Sequence, residues 1–333
     1  MNREEFIQGY KSRQPLFGRI LKNVSGAICD QLNAAGVPYL NIENRIKTLD
    51  SAFEKVGRKN YNDPFNQIED FCGIRIVCYY PGDVDKIVRL LCNEFDVISE
   101  ENTQARLKPN EFGYRSTHLI LTIPTDWLRA PEYRGLNDLK VEVQTRTILM
   151  HAWAEIQHKL AYKSADQVPD DFQRRLFRLS AKFEEADEQL EQIRDDLSSY
   201  RSEVRNIVDG FASLKGQPLN LDTLTILLDA AFPERVKSVS ANSEILTEIL
   251  ELSLTMDDLI DAIQTHAPIS AQLESLDTGN GEPTFWVQVG ALRSALDVAN
   301  EAYYTYRMHE YYDTEEWREP TEFGRDLLKN SSN

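Results

Sequence analysis

Residues 112–124 read FGYRSTHLILTIP and residues 140–163 read KVEVQTRTILMHAWAEIQHKLAYK. The two pieces hold a turn, two runs of strand length (HLILTIP and KVEVQT) and a helix. Gly113 suits a turn with positive φ. Tyr114 offers a ring face for stacking, and Arg115 and Arg146 carry planar forks that grip anions. Glu142 lies between Val141 and Val143. Side chains alternate across a strand, so Glu142, Gln144 and Arg146 share one face and the two valines the other. A lone Glu on a strand is ordinarily solvated surface. A Glu-x-Gln-x-Arg row makes a whole face polar, and that face must meet water or a ligand.

Moving outward, residues 1–40 carry a helical pattern that stops near Gly36 and Pro38. Residues 39–49 suit an edge strand or an extended loop leading into a short helix from about Ser51. The run FCGIRIVCYY, 71–80, is continuous, apolar and β-branched, as a central strand requires. Asp83, after Pro81-Gly82, is expected to cap the helix that follows. Further strands are expected near 95–99, 118–124 and 140–146, with a helix over 147–163. Strands and helices interleave around one sheet, which predicts an α/β or α+β domain.

From Phe172 the pattern changes. Phe172, Leu176, Leu179, Phe183, Ala186, Leu190, Ile193, Leu197, Tyr200, Val204 and Ile207 alternate steps of four and three, and Gly210 supplies a stop. Such a 3.5-residue repeat suits a long helix lying on its own domain, or a coiled-coil contact in a homo-oligomer. Helices are expected near 219–231, 242–264 and 284–310. The division is a helical segment at 1–40, a domain of interleaved strands and helices at 41–165, the long amphipathic helix at 168–210 and an acidic all-α region at 215–333.

The net charge of −17 is unevenly spread. Residues 1–163 carry 22 Lys and Arg against 21 Asp and Glu, a net of +1, and residues 164–333 carry 15 against 33, a net of −18. The first part tolerates an anionic substrate. The second repels phosphate, which argues against a grip on DNA or RNA. No run of 18 apolar residues or signal-peptide pattern is present, and none of Cys29, Cys72, Cys78 and Cys92 has metal-ligand spacing. A reduced, cytoplasmic protein with no membrane partner is expected.

Arg45 and Lys47 sit two apart, and Lys55, Arg58 and Lys59 follow on the short helix. Five cations in fifteen residues make either a polyphosphate cradle or a solvated basic face. Neither a GxxxxGK[ST] loop nor a GxGxxG turn explains nucleotide binding. Asp70 either caps a turn or ligates Mg2+, and paired with Glu142 it would supply the two carboxylates of metal-assisted phosphoryl chemistry. His151 and His158, seven apart on one helix face, suggest packing or hydrogen bonding.

Residues from about 40 to 165 resemble the synthetase domain of RelA/SpoT-type alarmone synthetases (GTP pyrophosphokinases). Five blocks carry the resemblance in the family's order: NRIKTLDSAFEK, IEDFCGIRIV, GYRSTH, EVQTRT and HAWAEIQHKLAYK. It implies a nucleotidyltransferase-like mixed β-sheet flanked by helices, and Mg2+-dependent transfer of the β,γ-pyrophosphate of ATP to the 3′-hydroxyl of GDP or GTP. By motif, Arg45, Lys47, Lys55, Arg58 and Arg75 would hold ATP, and Asp70 would ligate Mg2+. Glu142 would activate the hydroxyl or share the metal. Tyr114, Arg115, His118, Gln144, Arg146 and Lys108 would form the acceptor side. The approach to Gly113, from Lys108 through Pro109, Asn110, Glu111 and Phe112, is two residues longer than the family's usual one. With no histidine-aspartate hydrolase signature, a synthetase without hydrolase activity is expected. A toxin-like relative acting on another 3′-hydroxyl, such as the end of tRNA, is the alternative, and a non-catalytic regulator the third reading.

Overall fold

Asn2 opens the first helix, α1 (Arg3–Ala34): its side chain accepts from the Glu5 N–H while Glu5 accepts from the Asn2 N–H. In the computed structural model the described residues are 2–102, 116–160, 170–207, 210–270, 272–273, 287–310 and 315–331. Gly36, at φ +62°, ends the helix in the left-handed region, where glycine carries no Cβ penalty. Phe6, Tyr10, Phe17, Ile20, Val24, Ile28 and Leu32 form the buried stripe of α1, spaced in turns of the helix, and they join the core of the sheet.

Five strands follow: β1 (Tyr39–Ile46), β2 (Cys72–Cys78), β3 (Asp96–Asn102), β4 (Thr117–Thr122) and β5 (Val141–Thr147). Their spatial order is β1-β2-β5-β4-β3. Among the described residues only β2 and β5 run parallel, and the other three pairings are antiparallel. The sheet is therefore mixed, with α2 (Leu49–Lys59), the short α3 (Pro64–Gln67), α4 (Pro81–Glu94) and α5 (Ile148–Leu160) around it. Residues 39–46 are the edge strand, and 72–78 pairs on both sides, as its apolar run requires.

Alternation along β2 and β5 divides the sheet. Cys72, Ile74, Ile76, Val141 and Val143 join the α1 side chains and Ile87 and Leu91 of α4 in one apolar core. The intervening positions Gly73, Arg75, Glu142 and Gln144 line the other face. All four cysteines are free thiols, and burial pushes the Cys72 thiol up to about 12.

Asp83 does not cap α4. The helix starts two residues earlier at Pro81, with Tyr80 as an N-cap that makes no side-chain bond. The Asp83 carboxylate is instead buried and paired with Arg194 at 2.9 Å and Lys86 at 3.2 Å. An ion pair for a buried carboxylate outweighs one cap.

The chain divides into two compact units, residues 1–194 and 195–333. Helix α6 (Asp170–Ile207) runs through the division. In the first unit it packs a mixed face. Phe183 meets Trp153 with ring centroids 5.8 Å apart, Thr147 donates to Asp187 at 2.6 Å, and the Gly82 N–H donates to Glu191 at 2.6 Å.

Among its described residues the second unit is helical: α7 (Leu221–Ala231), α8 (Val239–Glu251), α9 (Met256–His266), α10 (Gln288–Ala299), α11 (Glu301–Glu310) and α12 (Glu315–Ser331). The expected helix over 242–264 is two. Ser253, at φ +55°, turns the chain, and Thr255 caps α9 by accepting from the Asp258 N–H. The expected 284–310 segment also breaks, at the extended Asn300. Leu224, Leu227, Ile245, Ile249, Leu259, Ile260, Leu292 and Leu296 form the core, and Glu248 is buried against Arg293 and Tyr303.

His266 is buried with Nε2 3.0 Å from the Ser294 hydroxyl. Burial, reinforced by the Arg235 charge, pushes its pKa down to about 4. The folded state keeps this imidazole neutral, whereas the unfolded chain takes up a proton below about pH 6.5. Its contribution is present above the unfolded value and is lost as pH falls toward 4, amounting to about 3 kcal/mol at the limit. Thermal unfolding is expected to shift down across that window, and His266→Gln to flatten the shift; an unchanged slope in the variant would contradict this.

Candidate functional site

The polar face is assembled by register. Arg45 on β1 is opposite Gly73 on β2, and Gly73 is opposite Glu142 on β5. One row along, Glu43, Arg75, Gln144 and His118 follow one another across β1, β2, β5 and β4. Gly73 places no side chain between the Arg45 cation and the Glu142 carboxylate. The result is an open cleft of about 250 Å³, lined by Glu43, Asn44, Arg45, Lys47, Asp70, Gly73, Ile74, Arg75, Glu142 and Gln144.

At one side the ammonium of Lys47 donates to Asp70 Oδ2 at 2.8 Å, and Lys55 pairs with Oδ1 at 2.9 Å. Burial draws the Asp70 carboxyl upward, but the two ammoniums outweigh it and hold the pKa below its ordinary value. Arg75 bridges Glu43 and Glu155, each at 3.2 Å, and its Nε is buried without a hydrogen-bond partner. An unpaired guanidinium donor at a cleft is suited to an incoming anion.

At the other side the β5 row forms a ladder. Arg146 donates to Gln144 Oε1 at 2.7 Å, and Gln144 Nε2 donates to Glu142 Oε2 at 3.1 Å. His118 Nδ1 lies 3.1 Å from Glu142 Oε1, and its Nε2 lies 2.8 Å from the Ser116 hydroxyl. An ionised carboxylate only accepts, so His118 Nδ1 donates to Glu142. Burial raises the Glu142 pKa and Asp70 adds to that, yet the His118 and Gln144 contacts prevail and lower it. Glu142 is thus ionised at neutral pH, with its position fixed by two donors.

Among the described residues no cluster of three or more His, Cys, Asp or Glu side chains is placed to hold a metal ion. The donor set nonetheless suits magnesium, which is held through one or two carboxylates together with water and substrate phosphates. Asp70 and Glu142 line one cleft, and their charges are close enough to couple.

Of the residues expected from sequence, Asp70, Glu142, Arg45, Lys47, Arg75 and Gln144 line the cleft, and Lys55 reaches it through Asp70. His118 stands behind Glu142. Arg146 is buried and bonds to Gln144 at its side-chain carbonyl, so it supports the row and does not line the cleft. Arg58 is exposed on α2 and is not among the lining residues. Lys108, Gly113, Tyr114 and Arg115 lie outside the described residues. The sequence reading missed Glu43, which period-two alternation from Arg45 places on the same face. It also missed Ser116 and Glu155. Burial and the nearby Arg146 and Arg75 charges lower the His151 pKa, and its Nδ1 has no hydrogen-bond partner.

Residues 44–167 match the family model described as a region found in RelA/SpoT proteins. The GTP pyrophosphokinase YjbM of Bacillus subtilis (strain 168) is 32% identical over 165 residues, spanning 48% of this chain and 74% of that protein. The chain belongs to the RelA/SpoT family. A second RelA/SpoT relative, the GTP pyrophosphokinase YwaC of the same strain, is 33% identical over 138 residues, 40% of this chain and 62% of that protein. Among solved structures, the small alarmone synthetase 1 of Bacillus subtilis bound to its product pppGpp is 26% identical, with a TM-score of 0.49, covering 57% of this chain and 98% of that one. The five RelA/SpoT sequence blocks fall on β1–α2, β2, β4, β5 and α5. GYRSTH and HAWAEIQHKLAYK each extend outside the described residues.

Proposed function

We propose that this chain transfers the β,γ-pyrophosphate of ATP to the 3′-hydroxyl of GDP or GTP, making the alarmone (p)ppGpp. The observation that carries the reading is the pairing in one cleft of an ionised, doubly anchored Glu142 with a cation wall of Arg45, Lys47 and Arg75. Relatives that are GTP pyrophosphokinases support it.

In this reading the acceptor 3′-oxygen attacks the β-phosphorus of ATP. A new O–P bond forms, the bond from the β-phosphorus to the α,β-bridging oxygen breaks, and AMP leaves with that electron pair. Glu142 takes the hydroxyl proton as the bond forms, and His118, held by Ser116, keeps the carboxylate aimed. Arg45, Lys47, Lys55 and Arg75 spread positive charge along the triphosphate, which is what a loose phosphoryl transition state needs most. Asp70 and Glu142 would hold Mg2+, which when bound supplies neutralisation of phosphate charge. Lys47 and Lys55 would then exchange Asp70 for phosphate oxygens. Cytoplasmic location, where ATP and guanosine nucleotides are found, belongs to the same proposal. Among the described residues no helix is long and apolar enough to cross a membrane.

The test is a choice of acceptors. Purified protein with Mg2+ and γ-labelled ATP is offered GDP, GTP or deacylated tRNA. Label is expected on GDP and GTP. Label on tRNA alone would move the activity to the toxin-like alternative, and no transfer by folded protein would refute both. Loss of label from purified (p)ppGpp would overturn the expectation of synthesis without hydrolysis.

A further inference from the structure

Arg75 differs from the lysines of the cleft in how its charge is met. Lys47 and Lys55 hold Asp70 at 2.8 and 2.9 Å, the spacing of firm charge-assisted bonds. Arg75 offers one nitrogen, Nη1, to two carboxylates, Glu43 Oε2 from β1 and Glu155 Oε1 from α5, each at 3.2 Å. Neither carboxylate takes the guanidinium's two-pronged edge, and Nε is buried with no hydrogen-bond partner. A long, single-pronged pair is easily replaced by an anion that takes the fork.

The two carboxylates are not equivalent. Glu43 stands on a strand, lines the cleft and also accepts from the Asn41 amide at 3.1 Å. Glu155 reaches in from a helix with its side chain 52% exposed, and Arg75 is its one ion-pair partner among the described residues. Exposed pairs of this length add little to stability, so the fold does not demand an acid at 155. What the acid does is place a negative charge beside a guanidinium that the proposed function gives to phosphate.

The charge balance shows what that costs a nucleotide. The cleft lining holds three cations, Arg45, Lys47 and Arg75, against three acids, Glu43, Asp70 and Glu142. Lys55 and Glu155 join the same pairs and keep the balance at four each. No net field from these groups draws in a polyanion, so affinity depends on phosphate oxygens replacing the carboxylates one by one. Of those on Arg75, the carboxylate of Glu155 is the one free to swing into water.

We infer that Glu155 is a built-in competitor of ATP: its carboxylate holds Arg75 until a phosphate of the nucleotide displaces it, so a residue of α5 sets the affinity of the donor site. Glu43 keeps the Arg75 side chain on the cleft wall throughout. This rests on the donor half of the proposed function and holds whether the acceptor is a guanosine nucleotide or tRNA. The competition is lost equally from the bound substrate and the transition state, so it acts on KM and not on kcat.

The test is calorimetric titration of the full chain with α,β-methylene ATP and Mg2+, which needs neither acceptor nor turnover. Glu155→Gln is expected to bind about fivefold more tightly than wild type. The KM for ATP should fall by the same factor with kcat within about twofold. Helical circular dichroism should be unchanged, since the side chain is exposed. In an Arg75→Gln background the same substitution is expected to change affinity less than about 1.5-fold, because the competitor has lost its target. Unchanged or weaker binding by Glu155→Gln, or a gain that persists without Arg75, would overturn the inference and leave the donor cleft standing. A wild-type protein that fails to bind the analogue would remove the donor cleft itself, and the inference with it.

Discussion

Glu142→Gln is expected to lower kcat for pyrophosphate transfer by about 10³-fold while leaving ATP affinity within a few-fold of wild type. The substitution keeps shape and hydrogen bonding. A glutamine oxygen still accepts from Gln144, and its amide can face His118 once that ring changes tautomer. What is lost is the anionic oxygen that takes the hydroxyl proton. Because the lowered pKa keeps Glu142 ionised at neutral pH, the wild-type base is fully available there, and the whole difference falls on the chemical step. A kcat within about threefold of wild type would remove Glu142 from the role of base.

Asp70→Asn is the second large effect, and its pattern differs. Each Asp70 oxygen is engaged by an ammonium, so the neutral variant leaves Lys47 and Lys55 side by side without their counter-charge. Stability without ligand is expected to fall by about 1–2 kcal/mol, discounted because all three groups keep some solvent contact. Turnover is expected to fall about 10²-fold or more through loss of a carboxylate that would hold Mg2+. The two freed lysines should bind triphosphate in the absence of metal at least as well as wild type does. Thermal unfolding with and without ATP separates these effects. Full activity together with unchanged stability would show that the Lys47–Asp70–Lys55 cluster is ordinary surface.

Legibility in the sequence followed the range of the interaction. The Glu142, Gln144 and Arg146 row depends only on the two-residue period of a strand, and the ladder of hydrogen bonds along β5 reproduces it. The apolar run at 71–80 was equally plain as a strand paired on both sides. What period alone could not supply was register. The parallel pairing of Arg75 with Gln144 joins residues far apart in the chain, and nothing local in either strand specifies it. Glu43 was missed for that reason, although it shares the face of Arg45.

Two further misses have physical causes. Asp83 has the residue type and position of a cap, but Arg194, more than a hundred residues away, offered its carboxylate a charged partner. On α6 the repeat identified the helix, yet the first unit took a mixed face that joins Phe183 of the repeat to polar neighbours outside it. Asp187 and Glu191 found donors in Thr147 and the Gly82 N–H, and satisfying the buried Asp187 carboxylate favours that rotation. Tyr114 and Arg115, central to the acceptor side by family resemblance, lie outside the described residues. Their roles rest on the motif.

The central claim is that a pyrophosphoryl group, and not a single phosphoryl group, leaves ATP in this cleft. The most direct measurement is the stoichiometry of the adenosine product, quantified by anion-exchange chromatography after incubation with ATP, GDP and Mg2+. One AMP per 3′-pyrophosphorylated guanosine nucleotide is the expected result, with both products absent in Glu142→Gln. ADP or free phosphate formed in place of AMP would contradict the account.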